Sequence, residues 1–315
     1  MAEPNASPAA GPEAVKGAHP RLVDPETAPR PRIKELEVMV AEVIRETPDT
    51  ATLVLFTGND RLEYLPGHFL TIRPQQFPAL DRFCKYFEDL KGRKEPARAY
   101  SLASAPHERQ LAITIKEERY VSEVTKYPPL LSPLLVWRTQ PGTRMVVTGF
   151  GGPYTLPPDI EDRTDQIVHI CAGSGIVPNY SILRHCLETG LPIRHTLLYG
   201  NKMWDDVIFG PQLEDLARRY PDKLRIVHAL SRESDLSAFK ADCRPGRVCE
   251  PLIRELIPDP TSVEVFTCGP GVGKFERLAA REKGEEPPPR FLETVLEALQ
   301  TIGVPDERIH RESYG

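Results

Sequence analysis

The strongest constraint on the fold lies in the second half of the chain, where strand-length apolar runs alternate with helical segments. Gln166 to Cys171 is a short apolar run that breaks into Ala172-Gly173-Ser174-Gly175-Ile176-Val177-Pro178 and resumes as helix-like sequence to about Glu188. Arg194 to Tyr199 reads as a strand, Gln212 to Tyr220 as a helix, and Arg225 to Leu230 and Val263 to Thr267 as two more strands. Phe291 to Ile302 carries apolar residues at helical spacing, and Arg308 to Glu312 reads as a last strand. Such alternation predicts an α/β doubly wound parallel sheet, because a parallel neighbour needs a crossover helix.

The first half has a different texture. Leu36 to Ile44 and Thr52 to Phe56 are β-branched and apolar, separated by the turn-like Thr47-Pro48-Asp49. Phe69 to Ile72, Leu111 to Ile115 and Met145 to Thr148 are further short strands, which predict a small antiparallel β-barrel. The polar, Pro-containing stretch from Pro157 to Asp165 marks the boundary, giving domains at 33–158 and 164–315. Residues 74–97 read as an inserted excursion with one short helix, and residues 1–32, rich in Ala and Pro, as a disordered leader without the features of a signal peptide.

A length of 315 residues suits two domains, and a net charge of −5 argues against nucleic-acid binding. The longest apolar run, Leu130 to Trp137, is broken by Ser132 and Pro133 and falls short of the roughly 20 residues of a membrane span. The six cysteines, at 84, 171, 186, 243, 249 and 268, form neither a CxxC nor an iron–sulfur spacing. The expectation is a cytoplasmic protein with reduced thiols and no metal site.

Five segments carry candidate chemistry. In Arg98-Ala99-Tyr100-Ser101, a strand would project Arg98 and Tyr100 to one side and Ser101 to the other, offering a fork of donors for a pyrophosphate, a ring for stacking and a hydroxyl. Gly173 to Pro178 joins a strand to a helix, where glycines and free N–H groups suit a diphosphate. It is not GxGxxG, and strand two ends in Tyr199-Gly200-Asn201-Lys202 without the acid of an ordinary dinucleotide dehydrogenase. Ser231 and Arg232 at a strand end suit a 2′-phosphate, though a solvated turn accounts for them as well. Cys268-Gly269-Pro270 places a small side chain at a strand tip, where a buried structural cysteine is the alternative. Glu312 and Tyr314 put an acid and an aromatic near the terminus, where a frayed tail is the default.

Taken in order, these segments resemble the ferredoxin–NADP reductase family, over about residues 35–315, and within it the reductase components of bacterial oxygenases. The resemblance implies an FAD-binding barrel followed by an NAD(P)-binding α/β domain. It implies that Arg98 contacts the FAD pyrophosphate, Tyr100 flanks the flavin and Ser101 sits near its N5. It implies that Thr114, Ile115 and Lys116 line the ribityl and diphosphate, that Leu131 and Ser132 belong to a GxxS loop followed by the Pro141-Gly142 turn, and that Gly149 to Leu156 ends the barrel. Gly173, Ser174, Gly175, Ile176, Val177 and Pro178 match the nicotinamide dinucleotide loop, Ser231 and Arg232 the 2′-phosphate pair that favours NADPH over NADH, and Cys268, Gly269 and Pro270 the segment beside the nicotinamide. Ser101, Cys268, Glu312 and Tyr314 would be the catalytic group.

The chain also departs from that pattern. Pro129 stands where the first glycine of GxxS is expected, which puts the adenine end of FAD in question and keeps FMN as an alternative. Pro66-Gly67-His68 replaces the usual Pro-Gly-Gln, and the segments 74–97 and 271–289 are unusual. The sequence stops at Gly315 with no iron–sulfur domain, so the expected function is hydride transfer from NAD(P)H to FAD and then single-electron transfer to a separate acceptor, a ferredoxin or other iron–sulfur protein. A non-enzymatic electron-transfer subunit, a reductase of free flavin or ferric chelates, and a degenerate binding module without flavin are the alternatives.

Overall fold

A computed structural model describes residues 35–58, 62–121 and 125–314; the leader assigned to residues 1–32 lies outside the described residues. Twelve strands among them form two six-stranded sheets.

The first sheet comprises β1 (Glu35–Thr47), β2 (Thr50–Phe56), β3 (Phe69–Ile72), β4 (Arg98–Ser101), β5 (Leu111–Lys116) and β6 (Arg144–Gly151), in the order β4-β3-β6-β1-β2-β5. All its pairings are antiparallel. Alternation folds it around its own core: Leu53, Leu55, Ile113 and Ile115 point inward and are buried. The β1–β2 turn follows from its polar side chains, since Thr47 and Thr50 both donate to Asp49 Oδ1, at 3.0 and 3.1 Å. The two edges meet where Leu102 bridges Ile113 and the Ala103 N–H donates to the Ala112 carbonyl at 2.7 Å, which gives the sheet its barrel-like closure.

The second sheet comprises β7 (Gln166–Ala172), β8 (Arg194–Asn201), β9 (Leu224–Leu230), β10 (Asp242–Pro245), β11 (Glu264–Pro270) and β12 (Ile309–Tyr314). It is parallel throughout, in the order β10-β9-β8-β7-β11-β12. Its central strands are buried on both faces, as a parallel sheet flanked by helices requires. The period of two divides its residues between the faces: Cys171 and Tyr199 pack under the helices Ile176–Thr189 and Gly210–Arg219, while Ile170 and Leu198 pack under Glu250–Leu256 and Phe291–Ile302. Ala103 of the barrel belongs to the first of these clusters, so the halves share a core boundary. The excursion at 74–97 contains two short 3-10 turns and one amphipathic helix, Asp81–Lys91, that buries Cys84 and Phe87.

Candidate functional site

The strand order makes the chain reverse direction at β7, with β8 on one side and β11 on the other. At such a switch point the loops leaving the strand ends part and open a crevice. Gly173 to Gly175 form its floor as one 3-10 turn running into the helix Ile176–Thr189, whose N-terminus no side chain caps. The two glycines are required for different reasons. Gly173 has φ +53° and open space where a β-carbon would stand, whereas a β-carbon on Gly175 would lie 2.0 Å from the Cys268 carbonyl oxygen. Gly173 and Ser174 are half-buried and face the crevice opening, but Ile176, Val177 and Pro178 are buried and pack beneath it. Of the six residues matched to the dinucleotide loop, these three therefore have only backbone to offer a ligand.

A buried polar chain fixes the loop from below. Asn179 Nδ2 donates to the Gly175 carbonyl at 2.8 Å, so its Oδ1 is the acceptor for the Tyr154 hydroxyl (3.0 Å) and for His169 Nδ1 (2.9 Å). His169 is thereby protonated on Nδ1, and its Nε2 accepts from His195 Nδ1 at 3.1 Å. Burial holds both imidazoles neutral; it lowers His169 to about 4, and His195 well below the usual range.

The catalytic quartet inferred from sequence comes together. β11 and β12 pair in register, Cys268 opposite Glu312 and Pro270 opposite Tyr314. The Tyr314 hydroxyl reaches Ser101 Oγ of the first sheet at 2.5 Å. Cys268 is fully buried, and burial together with the Glu312 carboxyl pushes its thiol well above the usual range. Burial raises the Glu312 carboxyl to about 7, and its Oε2 is buried without a hydrogen-bond partner among the described residues. An unpaired buried oxygen at the mouth of a crevice suits a ligand donor such as a carboxamide N–H. Gly269 is fixed by packing, since a β-carbon there would lie 2.5 Å from the Phe291 ring. The base of β12 is clamped by Glu264, fully buried and held by Arg163 (2.9 Å), Arg308 (3.2 Å) and His310 (2.8 Å).

On the barrel side, several assigned residues are already engaged. Arg98 Nη2 donates to Glu95 Oε2 at 2.9 Å and Nη1 to the Pro96 carbonyl at 2.7 Å. Tyr100 is half-buried against the barrel core. Thr114 Oγ1 lies 2.7 Å from Thr52 Oγ1, and Lys116 Nζ donates to Asp49 at 2.7 Å. Ile115 and Leu131 are core residues. Ser132 is not in an open loop: it begins a helix, Ser132–Trp137, and its hydroxyl accepts the Glu118 N–H at 3.1 Å. Pro133 at the second helical position explains this, because its missing N–H is no loss there.

Ser231 and Arg232 follow β9 directly. The Ser231 N–H donates to the Asn201 carbonyl (3.0 Å) and the Arg232 N–H to that of Lys202 (2.8 Å). The Arg232 guanidinium is exposed and has no carboxylate at ion-pair distance among the described residues. Sequence reasoning missed Asn179, His169 and His195, which sit in runs that read as ordinary strand and helix, and missed Glu95 inside the excursion.

Residues 169–277 match the family model of the oxidoreductase NAD-binding domain. The chain is 30% identical over 288 residues to the ferredoxin reductase component of 3-ketosteroid-9-alpha-monooxygenase from Mycolicibacterium smegmatis, covering 89% of this chain and 65% of that protein. It is 30% identical over 281 residues to the component of the same name from Rhodococcus rhodochrous, covering 87% and 64%. The chain thus spans slightly less than two thirds of the length of these relatives. Among solved structures, the flavohem-like FAD/NAD binding domain of nitric oxide dioxygenase from Vibrio cholerae superposes with a TM-score of 0.67 at 22% identity, covering 90% of this chain and all of that one. No helix among the described residues is long and apolar enough to cross a membrane. An antiparallel barrel-like sheet followed by a parallel sheet with a glycine turn at its switch point gives the chain the two-domain fold of that FAD/NAD binding domain, and about nine tenths of its sequence is similar to the ferredoxin reductase components named above.

Proposed function

We propose that the chain is a flavin-dependent NAD(P)H reductase, which takes hydride from NAD(P)H onto bound FAD and passes electrons singly to a separate iron–sulfur acceptor such as a ferredoxin. The observation that carries this reading is the 2.5 Å approach of Ser101 and Tyr314, which joins the first sheet to the crevice of the second. A flavin bound there supplies the redox chemistry, accepting two electrons together and releasing them one at a time.

The protein's own part is positioning. In this reading residues 33–158 hold the flavin and residues 164–315 the nicotinamide nucleotide. Arg98 grips the diphosphate, Tyr100 flanks the ring system, and Ser101 hydrogen-bonds its reactive edge. Because Thr114 and Lys116 are engaged with Thr52 and Asp49, their contribution to the ribityl side runs through the shape of β5. Leu131 and Ser132 contribute backbone at the start of their helix. The N–H groups around Gly173 and Ser174 bind the second diphosphate. Ser231 and the exposed Arg232 suit a 2′-phosphate, which favours NADPH while leaving NADH usable. Cys268 keeps the crevice floor small, Pro270 ends its strand, and Glu312 holds or releases a proton at Oε2. Tyr314 must swing away from Ser101 before a second ring can lie there.

The acceptor is inferred from relatives named as ferredoxin reductase components. Anaerobic titration of the purified protein with NADPH and then NADH tests the reading: the yellow absorbance should bleach, with NADPH acting at the lower concentration. A colourless protein that no flavin nucleotide reconstitutes would overturn it.

A further inference from the structure

The excursion at 74–97 ends on a buried ionic lock. Glu95 is 4% exposed as a residue, and its carboxylate receives Lys91 Nζ on one oxygen and Arg98 Nη2, at 2.9 Å, on the other. Burial by itself would raise this carboxyl, but the hydrogen bonds from Lys91 and Arg98 outweigh it and hold Glu95 below the usual range. The carboxylate is thus ionised throughout the physiological range.

The lock is itself held in place. The Glu95 N–H donates to Glu88 Oε1 at 3.1 Å, and its carbonyl accepts from Gln75 Nε2 at 2.8 Å. Lys91 Nζ lies over the rings of Phe87 (4.6 Å) and Tyr127 (4.4 Å), so the ammonium is boxed between two aromatic faces. At its other end the excursion is stitched to the barrel, where Gln76 exchanges hydrogen bonds with both the N–H and the carbonyl of Val146 in β6. The excursion is therefore tied to the barrel at its start and to β4 at its end.

We propose that Glu95 is a positioning residue of the flavin site, whose ion pair with Arg98 sets the orientation of the guanidinium and makes the 74–97 excursion part of the cofactor-binding machinery. This inference rests on the flavin reading above. An unrestrained arginine loses rotamer freedom when it binds; one already held at Nη1 by Pro96 and at Nη2 by Glu95 has lost it beforehand, and its remaining N–H donors stay available to an anion.

The sign of the effect separates this role from simple electrostatics. Removing Glu95 makes the cluster more positive, and charge alone would then tighten binding of a dianionic diphosphate. Positioning predicts the opposite.

The test is fluorescence titration of the apoprotein with FAD, using wild type, Glu95→Ala and Glu95→Asp, with the melting temperature of each apoprotein measured alongside. Glu95→Ala should weaken FAD binding about tenfold, the scale of loss when the group that orients a ligand-binding residue is removed. Glu95→Asp should recover part of it. In an Arg98→Lys background, which cannot make the forked contact, Glu95→Ala should cost little more. Unchanged or tighter binding by Glu95→Ala would overturn the inference, as would an equal loss in the Arg98→Lys background, which would mean that Glu95 acts only by folding the excursion. Failure of the wild-type apoprotein to bind any flavin would instead overturn the flavin reading itself.

Discussion

Ser101 and Tyr314 are 213 residues apart in sequence, and their hydroxyl oxygens lie 2.5 Å apart. The contact joins the last residue of β4 to the end of β12, so a small displacement of either sheet is felt at this hydrogen bond.

Removing the hydroxyl tests its role directly. Ser101→Ala should slow flavin reduction by NADPH in stopped-flow measurements by about tenfold, the worth of one net hydrogen bond, while FAD stays bound. An unchanged rate would take Ser101 out of the mechanism.

The two glycines of the turn should respond differently. Gly175→Ala drives a β-carbon to 2.0 Å from a backbone carbonyl, which cannot yield as a side-chain end would. The expected loss is about 1–3 kcal/mol or more in chemical denaturation, with nicotinamide nucleotide binding abolished. Gly173→Ala meets no neighbour and pays only for its positive φ, about 1–2 kcal/mol.

Glu312 should give stability a pH dependence of defined sign. Its folded-state pKa, raised to about 7, exceeds the unfolded value, so the folded protein binds the proton more tightly. Its contribution is fully favourable below the unfolded pKa of about 4.5 and is lost as pH rises to about 7. Glu312→Gln should remove this slope: urea melts of variant and wild type should diverge in the variant's favour between pH 5 and 7.5 and run parallel above. A constant difference across that range would contradict the assignment.

Arg232→Ala should weaken NADPH, and inhibition by 2′-phospho-AMP, by about 10- to 100-fold, with NADH little changed, because a charge-assisted contact to the 2′-phosphate is lost. Equal effects on both nucleotides would place Arg232 outside the 2′-phosphate pocket.

Glu264→Gln should cost about 3–5 kcal/mol, since it leaves two guanidinium groups, Arg163 and Arg308, without their carboxylate at a site that burial denies to water. Equilibrium denaturation reads this directly.

Most of the strand framework was legible because its signals are local. Runs such as Gln166 to Cys171 and Arg194 to Tyr199 are continuous and apolar, and β7 and β8 extend them by a residue or two. The short strand Asp242–Pro245 escaped because it lies at the sheet edge, only partly buried, and ends in arginine and proline. The helix Lys274–Glu282 escaped because it is short and buries none of its residues, although Phe275, Leu278 and Ala279 stand at helical spacing on one face. The quartet Ser101, Cys268, Glu312 and Tyr314 emerged from motif order, since nothing in each short segment announces the others. Glu95 and Asn179 were illegible in principle: their importance lies in partners that only the folded chain supplies.

The His169–His195–Asn179 chain beneath the glycine turn has a practical consequence. With both rings neutral down to about pH 4 or below, the floor of the crevice keeps one set of hydrogen bonds throughout the range in which Glu312 titrates. A titration seen near neutrality therefore does not arise from His169 or His195.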